Sequence, residues 1–111
     1  MSIEDELILA KMAERIVREV NPARIVLFGS RARGDAKATS DVDLLVVEDG
    51  PFGPNKSRFH ETSRINRVLS GFGIAKDVLV YSTEEVELWR NTTNHVIAHA
   101  LREGRVLYDR P

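Results

Sequence analysis

"LFGSRARGDAKATSDVDLLV", Leu27 to Val46, closes one apolar run with a Gly-Ser pair and opens the next with an Asp-x-Asp. Aspartate is depleted from strands, yet Asp41 and Asp43 sit two residues apart, so a strand would turn both side chains to the same face. At a Cα spacing of roughly 6.8 Å and an effective dielectric near 20, two such charges repel by roughly 2 kcal/mol. A strand that carries this repulsion at its mouth needs something to offset it.

Around this stretch the chain reads as alternating helices and strands. Ser2 and Asp5 have capping-box spacing, and Ile3, Leu7, Ala10, Val17 and Val20 follow a helical period, which predicts a helix over Ile3 to Val20 ended by Asn21-Pro22. "RIVLF" predicts a buried strand stopping at Gly29, with a helical turn over Arg31 to Gly34. "VDLLVVE" is apolar on both faces beyond Asp43 and predicts a central strand. After the turn-rich "DGPFGPN" come a helix ending near Gly71 and a third strand, "KDVLVYS", that opens with Asp77. Ser82 and Glu85 predict a second capping box and a helix through Trp89; "NHVIAHALREG" predicts a last helix capped by Gly104, and "RVLY" a closing strand. This order predicts an α/β (α+β) two-layer domain with a small mixed sheet, and residues 1–111 as a single domain.

With 42% hydrophobic and 30% charged residues, the chain can bury one modest core. A formal net charge of −1 gives no global basic field of the kind that grips a nucleic-acid backbone. Cysteine is absent, which removes disulfides and thiolate metal sites and suits a reducing cytoplasm. The start of the chain does not resemble a signal peptide, and no run reaches membrane-spanning length.

A glycine at a strand end lets the backbone approach a ligand closely, and Ser30 adds a hydroxyl beside amides that a following helical turn leaves free. Two aligned carboxylates are hard oxygen ligands suited to magnesium, and Asp77 could reach the same place from a neighbouring strand. A phosphate seat beside a divalent-metal site is the equipment of phosphoryl or nucleotidyl transfer.

Gly29-Ser30, ten residues, then Asp41-x-Asp43 resembles the signature of the polymerase-beta-type nucleotidyltransferase superfamily, and "GSRARGDAKATSDVDLLV" resembles more narrowly the minimal nucleotidyltransferase (MNT) antitoxins found beside HEPN-domain toxins. The resemblance implies a nucleotidyltransferase-like fold, with Gly29 and Ser30 on the triphosphate and Asp41 and Asp43 on magnesium. Asp77 would complete the carboxylate set, although Lys76 beside it could instead make it a surface ion pair. It also implies transfer of AMP from ATP to a hydroxyl, with a tyrosine of a HEPN toxin as the acceptor. Two competing readings are an antitoxin that neutralises by binding alone and a small-molecule adenylyltransferase. The length leaves no segment for a second substrate domain, which counts against the latter and against a polymerase.

Other residues carry further expectations. Arg31 and Arg33 are candidate phosphate contacts. His95 and His99, spaced i, i+4, could share a metal but are expected to be solvent-facing or packed. Lys56, Arg58, His60, Arg64 and Arg67 make the third helix basic, so that this helix and the Gly50 to Asn55 loop are candidates for a docking surface beside the site. Phe72 and Trp89 are expected to fill the core.

Overall fold

The computed structural model describes residues 2–37 and 40–111. Helix α1 (Ile3–Val20) starts at a reciprocal cap: the Ser2 hydroxyl accepts from the Asp5 amide at 3.1 Å, and the Asp5 carboxylate accepts from the Ser2 amide at 3.4 Å. It stops at Asn21, whose φ of 47° is left-handed. Strand β1 (Arg24–Phe28), helix α2 (Gly29–Arg33) and strand β2 (Val42–Glu48) follow, then α3 (Arg58–Val68), β3 (Lys76–Ser82), α4 (Thr83–Trp89), α5 (Val96–Glu103) and β4 (Arg105–Asp109).

The sheet order is β3-β2-β1-β4, with β2 parallel to β3 and β1 antiparallel to both of its neighbours. Alternation along β1 and β2 then builds two cores. Ile25, Leu27, Leu44 and Val46 pack with Leu9, Met12 and Ile16 of α1 and Ile65 of α3 on one face. Val26, Leu45 and Val47 pack with Val86 of α4 and Ile97 and Ala100 of α5 on the other. The expected two layers are therefore three, because β2 is apolar at both phases of its period and both faces need cover.

Other expectations are corrected. Helix α3 begins one residue after the Ser57 cap and ends at Val68, short of Gly71. Gly104 follows α5 in an extended conformation, φ −82°, and not as a left-handed cap. A Cβ there would lie 2.2 Å from the Ala100 carbonyl oxygen and 2.5 Å from Val26 Cγ1, so close passage of α5 over β1 requires the glycine. Trp89 is not core: 38% of it is exposed, and its ring lies flat on His95 at 4.7 Å. Phe72 is partly buried against the first core, as expected, with the Arg15 guanidinium 4.5 Å above its ring.

Candidate functional site

Because β2 is antiparallel to β1 and parallel to β3, the end of β1 and the starts of β2 and β3 lie at one end of the sheet. Phe28 pairs with Asp43, and Asp43 with Asp77, so a single row across three strands carries the Gly-Ser turn and two of the acids. Asp41 stands just outside the ladder, before Val42, and is exposed. Asp77 is exposed too, and Lys76 turns its Nζ to the Ile74 carbonyl at 3.0 Å. Asp41, Asp43 and Asp77 thus come to one end of the sheet, while among the described residues no three carboxylate or imidazole side chains are close enough together to hold a metal ion by themselves.

The turn after β1 is shaped around Asp43. Gly29 has φ +74°, and a Cβ on it would stand 2.3 Å from Asp43 Oδ2. The glycine is needed twice, for its left-handed backbone and for the room it leaves the carboxylate. Burial, then the charges of Asp77 and Asp41, raise the Asp43 carboxyl above the usual aspartate range, and Arg33 pulls the other way. Two further carboxylates, Asp77 and Asp41, thus act on Asp43 beside its own burial, and a cation at this end of the sheet would relieve them.

Helix α2 springs from this turn. The Ser30 carbonyl accepts from the amides of Gly34 and Asp35 at 3.0 and 3.1 Å, closing the helix, while its first amides have no acceptor within it. Arg33 is half exposed, with Nε 3.4 Å from Asp35 Oδ2 and Nη1 3.7 Å from Glu103 Oε2. Arg31 is not a surface phosphate contact: it is 6% exposed and donates twice to the Ser40 carbonyl, from Nε at 3.2 Å and Nη2 at 2.8 Å.

The basic helix is spoken for. Arg58 forks onto Glu85 at 2.6 and 3.0 Å and donates to the Val80 carbonyl at 2.7 Å, with its guanidinium between the Phe52 and Tyr81 rings. Arg64 pairs with Glu19 and Glu61, Arg67 with Glu19, and Lys56 with Glu48. The Gly50 to Asn55 loop leaves the far end of β2, roughly 20 Å along the strand from the acids. The loop and the first turn of α3 therefore do not border the site, whereas the helix runs back along the sheet towards the start of β3. His95 and His99 share no site: His95 caps α5 through Nδ1 at 3.1 Å from the Ile97 amide, and His99 Nδ1 stands 3.2 Å from Arg102.

One group had gone unread in the sequence. Glu48 is 1% exposed, with Lys56 Nζ at 3.4 Å and, among the described residues, no hydrogen-bond partner for its Oε2. Burial, then the neighbouring Glu61 carboxylate, push it up to about 7, against the pull of Lys56. Its signal was present, since Glu48 shares the phase of Leu44 and Val46 and so had to point into the core.

A Gly-Ser turn facing a row of strand-borne aspartates on a mixed sheet is the arrangement of a nucleotide-transferring domain. Residues 9–105 match the family model of the nucleotidyltransferase domain, and the chain belongs to that family. Its relatives include a Methanocaldococcus jannaschii protein named a "putative protein adenylyltransferase", 35% identical over 77% of each chain. Protein adenylyltransferase MntA of Aphanizomenon flos-aquae is 32% identical over 78% of this chain, which spans only 57% of that relative's length. Among solved structures, one from Sulfolobus solfataricus named a "putative nucleotidyltransferase" superposes with a TM-score of 0.63 at 26% identity, covering 97% of this chain and 86% of that one. A toxin–antitoxin crystal structure with AMP-PNP has the same fold at a TM-score of 0.54 and 18% identity, over 91% of this chain and 73% of that one.

Proposed function

We propose that residues 1–111 form a minimal nucleotidyltransferase domain that transfers AMP from ATP, with magnesium, to a hydroxyl of a partner protein, and that the partner is a HEPN-type toxin neutralised by the transfer. The observation that carries this reading is the Gly-Ser turn packed against Asp43, with Asp43 in register with Asp77 on the neighbouring strand. The relatives named protein adenylyltransferases support protein as the acceptor, and the toxin–antitoxin neighbour solved with AMP-PNP supports ATP and a toxin. Among the described residues no helix is long and apolar enough to cross a membrane.

The chemistry of the donors suits a divalent ion, since the hard carboxylate oxygens of Asp41 and Asp43 lie at one end of the sheet beside the phosphate seat, with the remaining ligands left to phosphate oxygens and water. When bound, magnesium would stabilise the negative charge that develops on the attacking and leaving oxygens. Asp41 and Asp43 would hold it, and Asp77 would complete the carboxylate set. Gly29 keeps the backbone and the Asp43 carboxylate close to the phosphates, while Ser30 and the first amides of α2 donate to the triphosphate. Arg33 turns from Asp35 and Glu103 to the same phosphates. The acceptor oxygen attacks the α-phosphorus in line; the bond to the β-phosphate bridge breaks and pyrophosphate leaves.

The test is intact-mass analysis of a HEPN-type partner incubated with this protein, ATP and magnesium. Mass added in AMP steps, and lost with Asp41→Asn or Asp43→Asn, is the expected result. A complex without added mass refutes transfer and leaves binding-only neutralisation; adenylylation of a small alcohol in place of the partner refutes the protein acceptor.

A further inference from the structure

Asp41 and Asp43 are held in different ways. Asp43 is fixed on both sides by the ladder, against Phe28 and Asp77. Asp41 lies before the first rung, where the Val42 amide donates to the Ala75 carbonyl at 2.9 Å, so its backbone is fixed by Val42 after it and by Ser40 before it. Ser40 is anchored at every polar group. Its hydroxyl accepts from the Lys37 amide at 2.9 Å, its amide donates to the Lys37 carbonyl at 3.0 Å, and its carbonyl accepts both Arg31 bonds. The first two ties run to Lys37, outside any helix or strand. Only the Arg31 fork, among these contacts, connects Ser40 to a regular element.

We infer that Arg31 is a positioning residue that sets the Asp41 carboxylate by pinning the carbonyl of the residue before it, an inference that rests on reading Asp41 and Asp43 as the divalent-metal ligands. A guanidinium suits this role because its planar fork directs two donors at one acceptor and fixes direction as well as distance. Burial protects those bonds from competing water. Arg31 Nη1 also lies 4.0 Å from Asp5 Oδ1, the carboxylate that caps α1, so the start of α1, helix α2 and the approach to β2 meet at one side chain. The Arg sits two residues from Arg33 yet turns inward while Arg33 stays half exposed, which divides the motif between positioning and phosphate contact.

The test compares the wild type with Arg31→Lys, Arg31→Met and Asp41→Asn. Manganese is titrated into each protein with AMP-PNP, and free ion is read by electron paramagnetic resonance; melting curves without ligand report the fold. Loss of an outer partner of a metal ligand typically weakens metal affinity by about 10- to 100-fold, and Arg31→Met is expected in that range. Arg31→Lys keeps the charge but not the fork and should fall between it and the wild type. In the transfer assay the metal concentration for half-maximal rate should rise while the rate at saturating metal largely recovers, a split that a general loss of folded protein does not give. Arg31→Met on the Asp41→Asn background should cost little more than Asp41→Asn alone. If Asp41→Asn weakens manganese binding and both Arg31 variants bind as the wild type does, the positioning role is overturned and the metal reading stands. If Asp41→Asn itself binds normally, the metal reading fails and takes the inference with it. Failure of both Arg31 variants to fold makes the residue a fold determinant only and also overturns the role.

Discussion

Replacing Asp43 by asparagine should stabilise the protein in the absence of metal, the reverse of what loss of a native side chain usually does. Asp43 and Asp77 are register partners on neighbouring strands, and Asp41 is two residues away. With carboxylates about 6 Å apart and an effective dielectric near 20, one such pair costs about 3 kcal/mol. Asp77 is exposed and Asp43 only half-buried, so solvent and salt screening reduce this to about 1 kcal/mol. For a domain of this size that is a rise in Tm of about 4 °C. The pH dependence follows from the raised carboxyl: native Asp43 holds its proton more tightly than the unfolded chain does, so the wild type loses stability as pH rises above the usual aspartate range. The advantage of Asp43→Asn should therefore be full at pH 7 and vanish near pH 3, where both states are protonated. Magnesium with AMP-PNP should raise the wild-type Tm and leave the variant nearly unmoved. Urea unfolding from pH 3 to 8 reads the first effect and thermal shift the second; a variant less stable than the wild type at pH 7, or an advantage that persists at pH 3, refutes the charge-cluster argument.

Gly29→Ala should cost about 1 to 2 kcal/mol in urea unfolding for its left-handed backbone alone, and should abolish transfer by displacing Asp43; on an Asp43→Ala background the extra cost should shrink towards the backbone part. Glu48, pushed up to about 7, binds its proton more tightly when folded, so wild-type stability should fall as pH rises from about 4.5 to 7, and Glu48→Gln should flatten that decline in thermal melts. Arg58→Ala breaks the fork to Glu85 and frees the Val80 carbonyl, which should cost about 1 to 2 kcal/mol in denaturant after solvent screening of the half-exposed pair, yet manganese binding should be unchanged because Arg58 sits at the far end of the sheet.

What the sequence revealed and what it hid divide by the range of the forces. Helix α1, all three site strands and both capping boxes have the expected bounds, because caps and hydrophobic period act over a few neighbouring residues. The row of Gly29, Asp43 and Asp77 was legible as three strand ends but needed the pairing register to become one place. The basic face of α3 misled because its counter-charges, Glu19, Glu48 and Glu85, come from elements far along the chain. Trp89 misled because size argues for burial, while the end of α4 offered it the flat face of His95 instead. Arg31 and Arg33 look alike as letters; only the path of the chain from α2 to β2 separates the buried one from the exposed one.

The mixed pairing of the sheet also favours an order of assembly. Strands β1 and β2 are neighbours in the chain and meet across one modest loop, whereas β3 reaches β2 only after the longer crossover through α3. Closing the shorter loop costs less entropy by about 0.6 kcal/mol, and the parallel pair needs its crossover first, which favours the meeting of Gly29 with Asp43 ahead of the arrival of Asp77. A chain still emerging from the ribosome then holds two like charges with no third carboxylate beside them. Under the proposed chemistry, such a nascent chain consumes no ATP, and competence arrives at a single late step when β3 docks.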